Sequence, residues 1–138
     1  MSELDPAKLD RARSTFAGVP YAKFLGLELG EVAAGEATIH LAVRDEIKQY
    51  QGVVHGGAVA SLIDTAAAFA VLTQIEVHER VTTTDLTIHY LRPITEGRIT
   101  ATARIVRAGR RLFVLSVEVR NDRHVLVATA VTTYIKIQ

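Results

Sequence analysis

The run Gln49-Tyr50-Gln51-Gly52-Val53-Val54-His55-Gly56-Gly57 leads into a long apolar stretch, 56–73, whose only charged residue is Asp64. A helix beginning at Gly56 displays N–H groups without intrahelical acceptors and a partial positive charge. Glycines at that point let a ligand oxygen approach the backbone closely. Polarising a carbonyl and stabilising an oxyanion need that arrangement. Asp64 lies about two helical turns further on, among apolar residues, where a carboxylate is costly unless partnered or used. An amide that polarises a carbonyl and a carboxylate within reach of it suffice to hydrolyse an activated acyl group. Taken singly, each residue also has a plain structural reading. Gly56-Gly57 reads as a tight turn, His55 as an N-cap, and Asp64 as a carboxylate satisfied by Thr65 or by backbone.

Other chemistries lack their residues. No G-x-S-x-G surrounds Ser14, Ser61 or Ser116, so a nucleophile elbow is unsupported. The five histidines show neither H-E-x-x-H nor paired spacing, and there is no Cys, so no metal site is expected. His55-Gly56-Gly57 lacks the Lys of a phosphate-binding loop. Across 138 residues, Lys+Arg is 16 against Asp+Glu 15, which removes any electrostatic case for nucleic acid or an anionic membrane. Absent Trp and few aromatics speak against a base-stacking platform. A central Asp64 would cost about 3 kcal/mol at a bilayer midplane, so the 56–73 stretch reads as a buried helix rather than a span. The opening Met1-Ser2-Glu3-Leu4-Asp5 has neither a basic nor an apolar leader segment, and a cytoplasmic location is expected.

The elements that must position these residues follow from spacing. Asp5-Pro6 is an N-cap with Pro at the first helical position, and Gly18 with Pro20 stops that helix at about Ala17. Segments 27–32 and 36–43 read as strands, and 44–52 as a loop. On the long helix, Ser61, Asp64, Thr65 and Ala68 recur at i, i+3, i+4 and i+7, a small and polar line on an otherwise apolar cylinder. Such a helix is wrapped by a sheet and presents that line to something. Strands follow at 81–92, 98–107, 113–119 and 125–137, and short turns between them predict an antiparallel meander. The fold class is α+β, one long helix wrapped by an antiparallel sheet. At 138 residues, a single domain with residues 1–26 as a helical lead-in is expected.

The run from Gly52 to Asp64, with H-G-G and an acid nine residues after the His, resembles the hot-dog-fold acyl-CoA thioesterases of the PaaI-like, or 4HBT, branch. The later run from Val81 to Pro93 is similar to that family's strand after the helix. The resemblance implies dimers whose sheets join edge to edge, often paired into tetramers, with active sites built from both chains. Carried over by position, the Gly56 N–H binds the thioester oxygen. Asp64, from the other chain, is base or nucleophile, and Thr83 orients water. Gln49 stands where PaaI-like members commonly have Asn, keeping the amide at longer reach. His55 braces the turn. Gly57 and Thr65 are candidate substrate contacts, Tyr50, Phe69 and Tyr90 candidate acyl-pocket residues, and Arg107, Arg110 and Arg111 candidate partners for coenzyme A phosphates. No cofactor is implied beyond coenzyme A as part of the substrate. The acyl group stays open between aryl and medium-chain. Two other readings compete: an acyl-CoA-binding module without turnover, and a hot-dog hydratase or dehydratase. The latter wants a D-x-x-x-x-H pairing that this chain lacks.

Overall fold

The computed structural model describes residues 3–137. Its first element, α1 (Pro6–Ala17), starts as its sequence dictates. The Asp5 carboxylate accepts from the Ala7 N–H at 2.8 Å, and Pro6 occupies a first-turn position where no donor is needed. Gly18 ends α1, but Pro20 does more than stop it. Pro20 opens a second short helix, α2 (Pro20–Leu25), which the sequence reading had left out. The same fixed φ that breaks a helix interior is preorganised for a first turn. Gly26, at φ 78°, closes α2 in the left-handed conformation that glycine adopts without a Cβ penalty.

Six strands follow: β1 (Leu27–Ala33), β2 (Glu36–Ala42), β3 (Val81–Tyr90), β4 (Arg98–Ala108), β5 (Leu112–Arg120) and β6 (Leu126–Lys136). Between β2 and β3 runs α3 (Gly56–Leu72). The expected loop at 44–52 also contains a single 3-10 turn, Asp45–Ile47. Among the described residues no helix is long and apolar enough to cross a membrane.

The strands form one antiparallel sheet in the order β1-β2-β4-β5-β6-β3. This corrects the expected meander. Strand β3 pairs with neither of its sequence neighbours but lies at the far edge beside β6, leaving β2 to pair with β4. The cause is α3, whose 17 residues carry the chain about 25 Å across one face of the sheet before β3 begins. Helix α3 rests on that face, touching all six strands and β2 and β4 most. Small residues on both sides, Ala66, Ala67 and Ala70 on the helix and Ala37, Ala101 and Ala103 on the sheet, are all buried and allow close approach. Leu62 and Ile63 fill the space between, fully buried, each contributing about 2–3 kcal/mol by the area removed from water. Ser61, Asp64, Thr65 and Ala68 are the predicted exception, a half-buried line along α3.

Candidate active site

Each end of the site is set by a local device. At the start of α3, His55 is the N-cap, its Nδ1 accepting from the Gly57 N–H at 2.8 Å. The Ala58 and Val59 N–H groups donate to the His55 carbonyl at 2.9 and 3.4 Å. Among the described residues no acceptor meets the Gly56 N–H. The turn is stitched down on both sides, by His55 N–H to the Ile47 carbonyl at 2.9 Å and Val54 N–H to the Ile94 carbonyl at 2.7 Å. His55 thus caps the first turn of α3, its side chain accepting and its backbone N–H held by Ile47.

Both glycines answer to close neighbours. A Cβ at Gly57 would stand 2.9 Å from His55 Nδ1 and displace the cap. A Cβ at Gly56 would stand 3.3 Å from the Tyr90 ring and hydroxyl, whose Oη donates to the Gly56 carbonyl at 2.8 Å. Tyr90, offered by the sequence as a pocket wall, thus ties the end of β3 to the first turn of α3.

Further along, the Asp64 carboxylate is held from the sheet. Thr83 Oγ1 donates to Asp64 Oδ1 at 2.8 Å. Tyr134 Oη lies 2.7 Å from the same oxygen and 2.8 Å from the Asp64 carbonyl, and donates to both. The Thr65 hydroxyl donates instead to the Ser61 carbonyl at 2.7 Å, so it does not satisfy Asp64. Thr83 and Tyr134 are cross-strand partners on β3 and β6. A bulge follows at once, since Thr83 pairs with Tyr134 but Asp85 with Thr133, leaving Thr84 as an extra residue. Val81 and Thr83 turn inward before it, Leu86 and Ile88 after it. Without the bulge one set would face outward, because side chains alternate strictly along a strand. The bulge lets one strand aim a hydroxyl at Asp64 and still bury its aliphatics. Hydroxyls stitch it down, Thr84 Oγ1 to the Thr133 carbonyl at 3.1 Å and Thr132 Oγ1 to the Asp85 carbonyl at 2.8 Å.

Tyr134 is the site residue that the sequence reading missed. It alternates with Ala128, Ala130 and Thr132 on the inner face of β6 and is only 3% exposed. Burial pushes its phenol far above the ordinary range; the nearby Thr83 hydroxyl opposes that, while the adjacent Asp64 adds to it. The phenol stays protonated and serves as a donor.

Several proposed pocket residues stand elsewhere. Phe69 is not a pocket wall, because it is 4% exposed and packs edge-on against Phe16, ring centroids 5.3 Å apart. Its position on α3 points it into the core rather than along the polar line. Tyr50 is 94% exposed at the tip of the 48–54 loop. Gln49 lies in that loop with its side-chain oxygen accepting from the Gln51 N–H, and no hydrogen bond joins it to Asp64. Arg107, Arg110 and Arg111 are exposed around the β4–β5 turn, as expected, and none forms an ion pair among the described residues. An apolar cleft of about 480 Å³ opens instead between α2 and the start of α3. Tyr21, Phe24, Leu25, Ile47 and Ala58 line it together with the charged Arg44, Glu46 and Lys48, and it reaches His55 and Gly57. Tyr21 Oη is 2.9 Å from Ser61 Oγ, which anchors the α2 wall to α3.

A family model described as the thioesterase superfamily matches residues 51–128, which contain the α3 amide, Asp64 and Thr83. The chain is 32% identical to the medium/long-chain acyl-CoA thioesterase YigI of Salmonella typhimurium, across 84% of each chain. Among solved structures it is similar to the Escherichia coli PaaI protein from the phenylacetic acid degradation operon, with a TM-score of 0.88, 26% identity and coverage of 95% and 94% of the two chains. A mutant of the phenylacetic acid degradation protein PaaI of Thermus thermophilus gives 0.80 at 30% identity, over 86% of this chain and 100% of that one. With the wrapped helix and its capped, glycine-led first turn, these likenesses settle the family: the chain belongs to the thioesterase superfamily, as a hot-dog-fold thioester hydrolase of the PaaI-like branch.

Proposed function

We propose that this chain hydrolyses an acyl-CoA thioester to free acid and coenzyme A, at sites that two copies build together. The observation that carries the proposal is the half-buried line of α3, with an amide lacking an acceptor in its first turn and a tethered carboxylate further along. The thioester oxygen sits on the Gly56 N–H, where the helix terminus stabilises the charge that develops. A carboxylate then takes a proton from water as the hydroxide adds to the carbonyl carbon, or itself adds there. After water attack, collapse of the tetrahedral adduct breaks the C–S bond, and the proton held by the carboxylate passes to the departing thiolate of coenzyme A. After attack by the carboxylate, the same collapse expels the thiolate and leaves a mixed anhydride, which water hydrolyses to the free acid, restoring the carboxylate and supplying the thiolate's proton.

One chain cannot supply both groups to one carbonyl. Eight residues of helix separate Gly56 from Asp64, about 12 Å along the axis, far beyond what a single carbonyl spans. A two-fold pairing that sets two α3 helices antiparallel brings Gly56 of one copy to the partner subunit's Asp64. Strand β3 supports such a pairing. It is a ten-residue edge bonded only to β6, the kind of open edge that soluble proteins cover. Joining β3 to its symmetry mate covers both edges at once. Sedimentation at micromolar concentration is expected to show a dimer or dimer of dimers, and a monomer alone would remove the shared site.

The acyl group enters the cleft beside α2, since that cleft ends at His55 and Gly57, next to the amide. Its walls carry the stacked pair Tyr21 and Phe24, centroids 6.5 Å apart, a surface for an aryl or medium-chain acyl group and larger than acetyl needs. Arg107, Arg110 and Arg111, exposed around the β4–β5 turn, are candidate cations for the coenzyme A phosphates. Thiol release across acetyl, medium-chain, long-chain and aryl thioesters of coenzyme A tests this. Medium-chain or aryl substrates are expected to exceed acetyl in kcat/KM. Tight binding without turnover across the panel would make the chain an acyl-CoA-binding module instead.

A further inference from the structure

The two oxygens of Asp64 are not equivalent. Oδ1 accepts from Thr83 Oγ1 at 2.8 Å and from Tyr134 Oη at 2.7 Å. Among the described residues no donor reaches Oδ2. We infer that Tyr134 is a positioning residue, which with Thr83 fastens Oδ1 and leaves Oδ2 as the oxygen that reacts. This rests on the reading of Asp64 as the base or nucleophile given above.

The Tyr134 hydroxyl reaches the Asp64 backbone carbonyl as well, at 2.8 Å. A single proton shared between a backbone oxygen and a side-chain oxygen of the same residue fixes the carboxylate relative to the helix axis. A lone threonine bond would still let the carboxylate turn about it. The phenol is suited to the task because it is rigid, 3% exposed and locked in the β6 register opposite Thr83. Because its burial keeps it protonated, it always donates and never competes with Asp64 for the water proton. The carboxylate itself lies on the half-buried line of α3, where the core does not cover it, so its free oxygen is the edge a bound thioester meets. Proximity contributes to rate only when the reacting atoms are held near attack geometry, and displacement by about 1 Å can cost ~100-fold. Preorganising one carboxylate oxygen by binding the other meets that need without adding charge.

Tyr134→Phe deletes one hydroxyl and keeps the ring that packs in the core. It is expected to lower kcat about 10- to 100-fold, with KM within about two-fold, because the substrate contacts are untouched. In an Asp64→Asn background the same change is expected to have no further effect on the residual rate, since Tyr134 acts only through Asp64. A Tyr134→Phe protein whose kcat per folded molecule stays within about two-fold of wild type would overturn the inference. So would an equal loss in the Asp64→Asn background. Crystal structures of wild type and Tyr134→Phe give a readout that needs no turnover. The Asp64 carboxylate is expected in one orientation in the former and in more than one in the latter. An unchanged single orientation in the variant overturns the role of Tyr134. A wild-type protein that cleaves no thioester overturns the proposed function instead, and the carboxylate order still decides the role of Tyr134.

Discussion

Asp64→Asn is expected to reduce kcat by ~10²–10⁴ while leaving the fold intact, the range lost with a positioned general base. The structure makes this substitution unusually clean. The Asn oxygen can keep the place of Oδ1, accepting from Thr83 and Tyr134, while its amide nitrogen takes the place of Oδ2. What faces the substrate then is a donor that neither accepts a proton nor attacks as a carboxylate. KM is expected to change little, because the lost interaction belongs to the transition state. Stability is expected within about 1 kcal/mol of wild type, since the hydrogen bonds survive and a half-buried charge becomes a neutral amide. A structural Asp64 predicts the reverse, a lower Tm with turnover per folded molecule retained. A melt and a thiol-release assay on the same preparation separate the two, and near-native turnover would remove Asp64 from the chemistry.

Gly56→Val acts on the other half of the site. Its Cβ would already stand 3.3 Å from the Tyr90 ring, and the two further methyls crowd the amide that receives the thioester oxygen. Tyr90 is 54% exposed, so its ring can swing outward and the fold survives. The expected cost in kcat is ~10²–10³, that of losing one oxyanion donor. The shared site then makes a stronger prediction. In a dimer of one Gly56→Val chain and one Asp64→Asn chain, one site carries both substitutions and the other carries neither. Refolding the two inactive proteins together in equal amounts is expected to restore about a quarter of wild-type turnover, because half the dimers are mixed and each has one intact site. A site closed within a single chain predicts no recovery, and that result would reject the shared architecture.

Much of this is legible in the sequence alone. Asp5-Pro6 and His55-Gly56-Gly57 announce helix starts because capping depends on residues within one turn of each other. The half-buried line through Ser61, Asp64, Thr65 and Ala68 follows from helical period alone. Strand existence in the second half follows from alternation, with ends that moved by a residue or two. Pro20 was legible as a stop but not as a start, since both uses share one φ.

What the sequence by itself determined, then, was the local hardware: a glycine-led helix terminus with His55 over it, and an isolated Asp64 on the small and polar line of α3. Only the tertiary structure decided what that hardware works with. The donors to Asp64 come from 19 and 70 residues away, and they meet it because β3 crosses to the edge beside β6. The extra residue Thr84 decides that Thr83 faces the helix, and no spacing rule marks which of three consecutive threonines is bulged. Phe69 went to the core, and Tyr21 and Phe24 to the cleft, because exposure depends on which neighbours arrive. Caps and periods are set by sterics within a few residues, whereas register and partner choice minimise the free energy of the whole sheet.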